Sequence, residues 1–151
     1  MYLWSLWGKN RVKKKFQVVS DLTNVQRTSQ EVVSFLKPLS LTEAVLFDVR
    51  LCLEEALINA MKYGNRLDKA LSVDLEVEAT PDELRLTVQD QGAGFDVKNL
   101  EDCTEEKNLF RNRGRGVYLI HQLMDEVRYN EKGNRLLMVK SLKKVEGNHG
   151  H

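Results

Sequence analysis

Two alternating runs, Ser72-Val-Asp-Leu-Glu-Val-Glu-Ala79 and Leu84-Arg-Leu-Thr-Val88, stand on either side of the turn segment Thr80-Pro-Asp-Glu83. No other feature limits the possible folds as tightly. Successive side chains of a strand point to opposite faces, so the pair makes a hairpin with one buried face, and that face requires a covering layer. Leu22, Val25, Val32, Val33 and Leu36 recur at helical spacing, and Pro38 ends that helix. Ser40-Leu-Thr-Glu43 has the form of a capping box, in which hydroxyl and carboxylate each accept from a free amide of the first turn. The helix it opens carries Val45, Leu46, Val49, Leu53, Leu57 and Ala60 on one stripe, and Gly64 suits a left-handed exit. Residues 15–19 read as a first strand, 116–124 as a third helix, and 126–130 and 135–142 as strands around Lys132-Gly133-Asn134. A strand, two helices, a hairpin, a loop, a helix and a second hairpin predict an α+β fold. The expectation is a two-layer sandwich, with a mixed, mostly antiparallel sheet and helices on one face.

The 151 residues amount to one domain, expected over 15–143 between an N-terminal arm, 1–14, and a flexible tail, 144–151. Lys and Arg number 23 against 22 Asp and Glu, a net charge of +1 that does not point to direct nucleic-acid binding. Cys52 and Cys103 form no CxxC pair and read as incidental thiols of a reduced intracellular chain. No uncharged apolar run approaches the roughly 20 residues of a membrane span. The apolar start, Met1 to Trp7, is followed rather than preceded by its basic residues Lys9, Arg11, Lys13, Lys14 and Lys15, the reverse of a secretory signal. Trp4 and Trp7 beside that basic run could touch a membrane surface; an arm packed on the domain or on a partner subunit is the simpler reading. A cytoplasmic protein is expected.

Three clusters carry chemistry. In Glu55-Ala-Leu-Ile-Asn59 a spacing of four puts a carboxylate and a carboxamide on one helix face, beside the apolar stripe. The first can take a proton from a hydroxyl or a water, and the second offers a hard neutral oxygen suited to magnesium. Asp90-Gln-Gly-Ala-Gly94 follows an alternating strand directly; its glycines allow close approach to a flat ligand, and Asp90 can accept from an exocyclic amine such as that of adenine. Arg113-Gly-Arg-Gly116 precedes a helix, whose start favours phosphate, and the arginines add charge-assisted contacts. Each cluster alone is commonplace. There is no Walker A lysine and no third glycine of a dinucleotide fingerprint. Together and in this order they are the parts of an ATP site.

The three clusters resemble the asparagine box and the two glycine boxes of the Bergerat-fold ATPases and kinases, over roughly Phe16 to Leu142. Within that superfamily, Asn108-Leu-Phe-Arg-Asn-Arg-Gly-Arg-Gly-Val-Tyr-Leu-Ile120 is most similar to bacterial anti-sigma factor serine kinases. The resemblance implies Glu55 as general base and Asn59 as the Mg2+ ligand, with Asp90, Gly92 and Gly94 around adenine. It implies Gly114, Gly116 and Val117 beside the phosphates, Arg111, Arg113 and Arg115 as charge contacts, and a lid from Asp96 to Arg113. Arg27 occupies about the place of a phosphate-stabilising arginine, with plain exposed helix surface as the alternative. Tyr63 departs from the family, which often has His there. His121 is read as a core-edge or surface residue, and His149 and His151, which could chelate a metal, as a frayed terminus.

The implied activity is ATP-dependent phosphorylation of a serine or threonine on a STAS-type anti-sigma factor antagonist. A sigma factor would be the competing partner, and the kinase a homodimer with the sheet edge and aromatic arm as dimer surface. A non-catalytic ATP-binding regulator that sequesters a partner is the alternative. A histidine-kinase catalytic domain or an ATP-hydrolysing clamp is disfavoured, since neither a dimerisation helix with a phosphoacceptor histidine nor a transducer domain is read here.

Overall fold

The computed structural model describes residues 11–92 and 112–142, with only the backbone of Asn112 and Arg113. The first ten residues of the expected arm, Gly94, Cys103, Arg111, almost all of the expected lid and the tail with His149 and His151 lie outside these. The described chain runs β1 (Val12–Val19), α1 (Thr23–Leu36), a 3-10 turn (Lys37–Leu39), α2 (Glu43–Asn59), a π-helical turn (Ala60–Gly64), β2 (Ser72–Ala79), β3 (Glu83–Gln89), α3 (Asn112–Leu123), β4 (Glu126–Tyr129) and β5 (Arg135–Ser141). The strands form a five-stranded sheet in the order β1-β2-β3-β5-β4, and every neighbouring pair is antiparallel. The α+β sandwich expected from the sequence is therefore present.

Alternation explains the sheet. Phe16, Leu75, Val88 and Leu136 lie in one cross-strand row, and Val77, Leu86 and Met138 in another. Val73, Val77, Leu84, Leu86 and Met138 are fully buried beneath the helices, while Asp74, Arg85 and Arg135 face outward. The α2 stripe meets this surface through Val49, Leu53 and Leu57, each wholly buried, with Val45 and Leu46 packed at the edge. Burying a side chain of this size contributes about 1.5–3 kcal/mol. One lysine breaks the apolar row: Lys140, opposite Leu84, reaches back to donate to Asp48 at 3.2 Å and to the Leu123 carbonyl at 2.7 Å. It thus joins α2, the end of α3 and β5. Cys52 is buried among these elements, and burial, with Asp48 nearby, pushes its thiol up to about 12, leaving it unreactive.

Several local expectations change. β1 starts at Val12 rather than Lys15, because its ladder with β2 runs to the Val12–Ala79 pair. Leu22 sits outside α1 and is 42% exposed; the buried face of α1 is completed instead by Thr28 and Ser29, whose hydroxyls bond the carbonyls of Asn24 and Gln26. Ser40 is not the cap of α2. It ends the 3-10 turn in a left-handed conformation (φ 58°), and the cap is Thr42, whose hydroxyl accepts from the Val45 amide at 3.1 Å. Glu43 then falls in the first position of the helix, too early to close a capping box. Nor is Gly64 a left-handed exit: positive φ falls on Arg66 (53°) and Leu67 (58°). No helix among the described residues is long and apolar enough to cross a membrane.

Thr42→Ala should lower the free energy of unfolding by about 1 kcal/mol in a urea titration, whereas Ser40→Gly, suited to the left-handed backbone, should leave it unchanged or raise it by a few tenths. The reverse ranking would restore Ser40 as the cap.

Candidate functional site

Because α2 is clamped by its apolar stripe, the direction of its remaining faces is settled by helical geometry. Glu55 and Asn59 lie on the edge that meets α3, one turn apart and half-buried. There the glycine face of α3 lies against both side chains: a Cβ at Gly116 would stand 2.6 Å from the Glu55 Oε1 and 3.2 Å from the Asn59 Nδ2, so a larger residue would push the Glu55 carboxylate from its present place. Gly116 lies inside α3, at least one turn past Asn112, where its N–H points back along the helix. It therefore contributes room for Glu55 rather than the free amide expected of a helix start. Gly114 is buried one turn ahead of Tyr118, and Val117, inside α3, is 2% exposed, so neither presents open surface to the cleft. Arg115 is exposed and lines the same cleft as Glu55, Asn59, Lys62, Tyr63 and Gly116. The side chain of Arg113 falls outside the described residues.

Burial raises the Glu55 carboxyl above its ordinary value, the neighbouring Glu54 charge raises it further, and Arg115 acts in the opposite sense. A carboxylate with raised proton affinity beside a cationic side chain is suited to accept a proton. Glu54 itself is anchored away from the cleft, accepting from the Ser29 hydroxyl at 2.6 Å and lying 3.9 Å from Arg50.

A second cleft adjoins the first and shares Asn59 with it; Ala56, Ala60, Val88, Asp90, Gly133, Asn134 and Leu136 also line it. Asp90 ends β3 here. Its N–H donates to the Asn134 carbonyl at 2.9 Å, and its Oδ1 accepts from the Gly92 amide at 2.8 Å. The wall behind it is Gly64, where a Cβ would collide with the Asp90 carboxylate; a Cβ at Gly92 would collide with the Gly64 carbonyl. Gly64 is thus a site residue that sequence reasoning assigned to a turn. Its position five residues after Asn59 was the available signal, since a π-helical turn there swings the backbone across the end of β3. Ala56, Ala60, Val88 and Leu136 with one carboxylate supply the chemistry that a flat heterocycle carrying an amine calls for.

The structure accordingly brings Glu55, Asn59, Arg115 and Gly116 to one cleft, and Asp90 and Asn59 to its neighbour, with Gly92 donating to Asp90. Arg27 lines neither: it is exposed on α1 and donates to Asn24 Oδ1 at 2.6 Å. His121 is exposed on α3. Among the described residues no group of three or more His, Cys, Asp or Glu could hold a metal ion. A cation at Asn59 would need most of its ligands from phosphate and water, as magnesium does.

Known proteins match this chain in sequence. Residues 18–140 correspond to the histidine kinase-like ATPase domain. The anti-sigma F factor of Clostridium perfringens is 29% identical over 140 residues, covering 88% of this chain and 97% of that protein. The serine-protein kinase RsbW of Staphylococcus epidermidis is 31% identical over 107 residues, 66% of this chain and 67% of that protein, and the RsbW of Staphylococcus aureus is 30% identical over the same length.

Two outcomes test the geometry. Gly64→Ala should cost about 1–3 kcal/mol of stability, because the short Asp90 side chain has little room to yield. Glu55→Gln removes a carboxylate whose raised proton affinity penalises the folded state at every pH above its folded pKa. Stability should therefore rise on substitution at pH 8, and the gain should shrink as pH falls through that pKa, where the wild-type carboxyl is protonated too. Thermal unfolding at pH 8 and pH 4 reads both; a gain that is larger at pH 4 would reverse the assignment.

Proposed function

The chain belongs to the histidine kinase-like ATPase domain family, and from that membership we propose that it is an ATP-dependent serine/threonine protein kinase acting as an anti-sigma factor. Its substrate would be a STAS-type anti-sigma factor antagonist, phosphorylated in a partner switch with a sigma factor. The observation that carries this reading is the seating of Glu55 against Gly116, beside an Asn59 that also lines the cleft of Asp90. Relatives named anti-sigma F factor and serine-protein kinase RsbW support the anti-sigma and kinase parts of it. The antagonist class and a cytoplasmic homodimer follow from the family resemblance.

ATP would place its adenine amine on Asp90, beside Gly92 and with Gly94 as a further adenine-site residue, and run its phosphates past Asn59 toward Gly114, Arg115, Gly116 and Val117. Glu55 then takes the proton of the substrate hydroxyl as that oxygen attacks the γ-phosphorus. The bond from the γ-phosphorus to the bridging oxygen breaks, and ADP leaves with the electron pair. Arg115, with Arg113 beside it in sequence, offsets charge on the transferring group. Asn59 would hold Mg2+, which when bound neutralises phosphate oxygens. Little covalent chemistry is asked of the protein; position and charge supply most of the rate.

Labelled ATP incubated with the protein, magnesium and a candidate STAS protein should put label on a partner serine or threonine. Free phosphate alone would indicate an ATPase, and neither product, with ATP bound, a sequestering regulator. Glu55→Gln should reduce transfer by at least about a hundredfold, in the range general base catalysis supplies, while nucleotide affinity is kept. Undiminished transfer in that variant would remove Glu55 as the base.

A further inference from the structure

The turn that carries Asp90 is tied down by a buried amide one residue beyond Gly64. Asn65 is 2% exposed, and every polar group it has is engaged. Its Nδ2 donates to the Ser20 hydroxyl at 2.7 Å and to the Ser72 carbonyl at 3.0 Å, and its own N–H donates to the Ala60 carbonyl at 2.8 Å. Its Oδ1 accepts from the Gln91 amide at 2.8 Å, the peptide N–H that follows Asp90. The Gln91 side chain returns the tie: its Oε1 accepts from the Ser72 amide at 2.6 Å. On the other side, the Asp90 N–H is held by the Asn134 carbonyl. A buried carboxamide with all its bonds made has one orientation, since turning it would leave several groups unpaired at once.

We propose that Asn65, assisted by Gln91, is a positioning residue that fixes the Asp90 carboxylate and thereby makes the cleft selective for adenine over guanine. The inference rests on the nucleotide-site reading above and adds to it a residue that touches no ligand. Adenine offers a donor amine at C6. Guanine offers an acceptor oxygen there, with its donors shifted along the ring edge. A carboxylate free to swing can follow the donors of either base. One bonded by the Gly92 amide against the wall of Gly64, on a turn pinned by Asn65 and Asn134, meets the adenine amine and opposes the guanine oxygen. Selectivity then depends on the bracket behind the carboxylate as much as on the carboxylate itself.

Calorimetric titration of the full chain with ATP and with GTP, each with magnesium, tests this. The wild type should bind ATP more tightly. Asn65→Ala should shrink the ATP-to-GTP affinity ratio by about tenfold, the effect of one hydrogen-bonded restraint. Gln91→Ala, at an exposed side chain, should shrink it by less but in the same direction, and decides the matter alone should Asn65→Ala fail to fold. Ser20→Ala removes a partner of Asn65 without touching the Gln91 tie, so it should lower the melting temperature and keep the ratio. The proposal is overturned by an unchanged ratio in both Asn65→Ala and Gln91→Ala, or by a ratio that falls as far in Ser20→Ala as in Asn65→Ala. Equal wild-type affinity for the two nucleotides overturns this proposal alone; no wild-type affinity for either overturns the nucleotide-site reading with it.

Discussion

The site depends on how closely the second half of α2, and the turn after it, approach two other stretches of backbone. Gly116 lets α3 lie against Glu55 and Asn59, and Gly64 lets the end of β3 lie against the π-helical turn, with Gly92 nested on the Gly64 carbonyl. Three missing side chains thus bring together residues that are far apart in the chain. None of this would place chemistry if α2 could roll. It cannot, because Val49, Cys52, Leu53, Ala56 and Leu57 are buried to 2% exposure or less, and a close-packed interior resists rotation of a helix that interlocks with it. The polar edge inherits its precision from the apolar stripe.

The polar interactions of the molecule divide by burial. On the open face of the sheet, Lys13 and Lys15 reach Glu76, and Arg11 reaches Glu78, with side chains mostly half-exposed or more on the basic partners. Such pairs contribute about 0–1 kcal/mol each and screen away in salt. Inside, the Asn65 bracket, the Ser29–Glu54 bond and the Lys140 junction are few but costly to break, since a buried group left unpaired forfeits about 1–3 kcal/mol. All three join elements that bear on α2 or on the Asp90 turn. Stability is spread over the core; shape at the site is concentrated in these contacts.

Much of this was legible in the sequence because period and spacing are local. The period of two in Ser72–Ala79 gave the strand to the residue, and the spacing of four between Glu55 and Asn59 gave a shared helix face. What escaped was what depends on approach between distant segments. Ser40 and Thr42 both suit a cap, and the choice turned on where the preceding 3-10 turn ends. Gly64 looks like any helix-ending glycine until Asp90 is placed against it. Asn65 has no motif at all, since its partners come from four separate parts of the chain. Gly116 was expected to offer a free amide at a helix start; it lies against Glu55 instead, because four further residues of helix precede it.

In the reaction proposed above, Glu55 is the residue that would separate phosphotransfer from mere holding of nucleotide. Its carboxylate is partly desolvated and sits near a second acidic residue, so as an ion it lowers the stability of the fold. Beside a bound triphosphate it would also repel the ligand. Neither effect helps a protein whose task is only to retain ATP or to hold a partner. Both are intelligible for a group that must collect a proton as negative charge moves away from it toward the leaving diphosphate, because accepting the proton relieves the desolvation and the repulsion together. Arg115, exposed at the mouth of the same cleft, limits the cost in the resting state without quenching the carboxylate, since a solvated guanidinium exerts a screened attraction. The balance of burial, like charge and countercharge suits the base proposed above, and it arises where helix α2 leaves the apolar layer and meets the glycine face of α3.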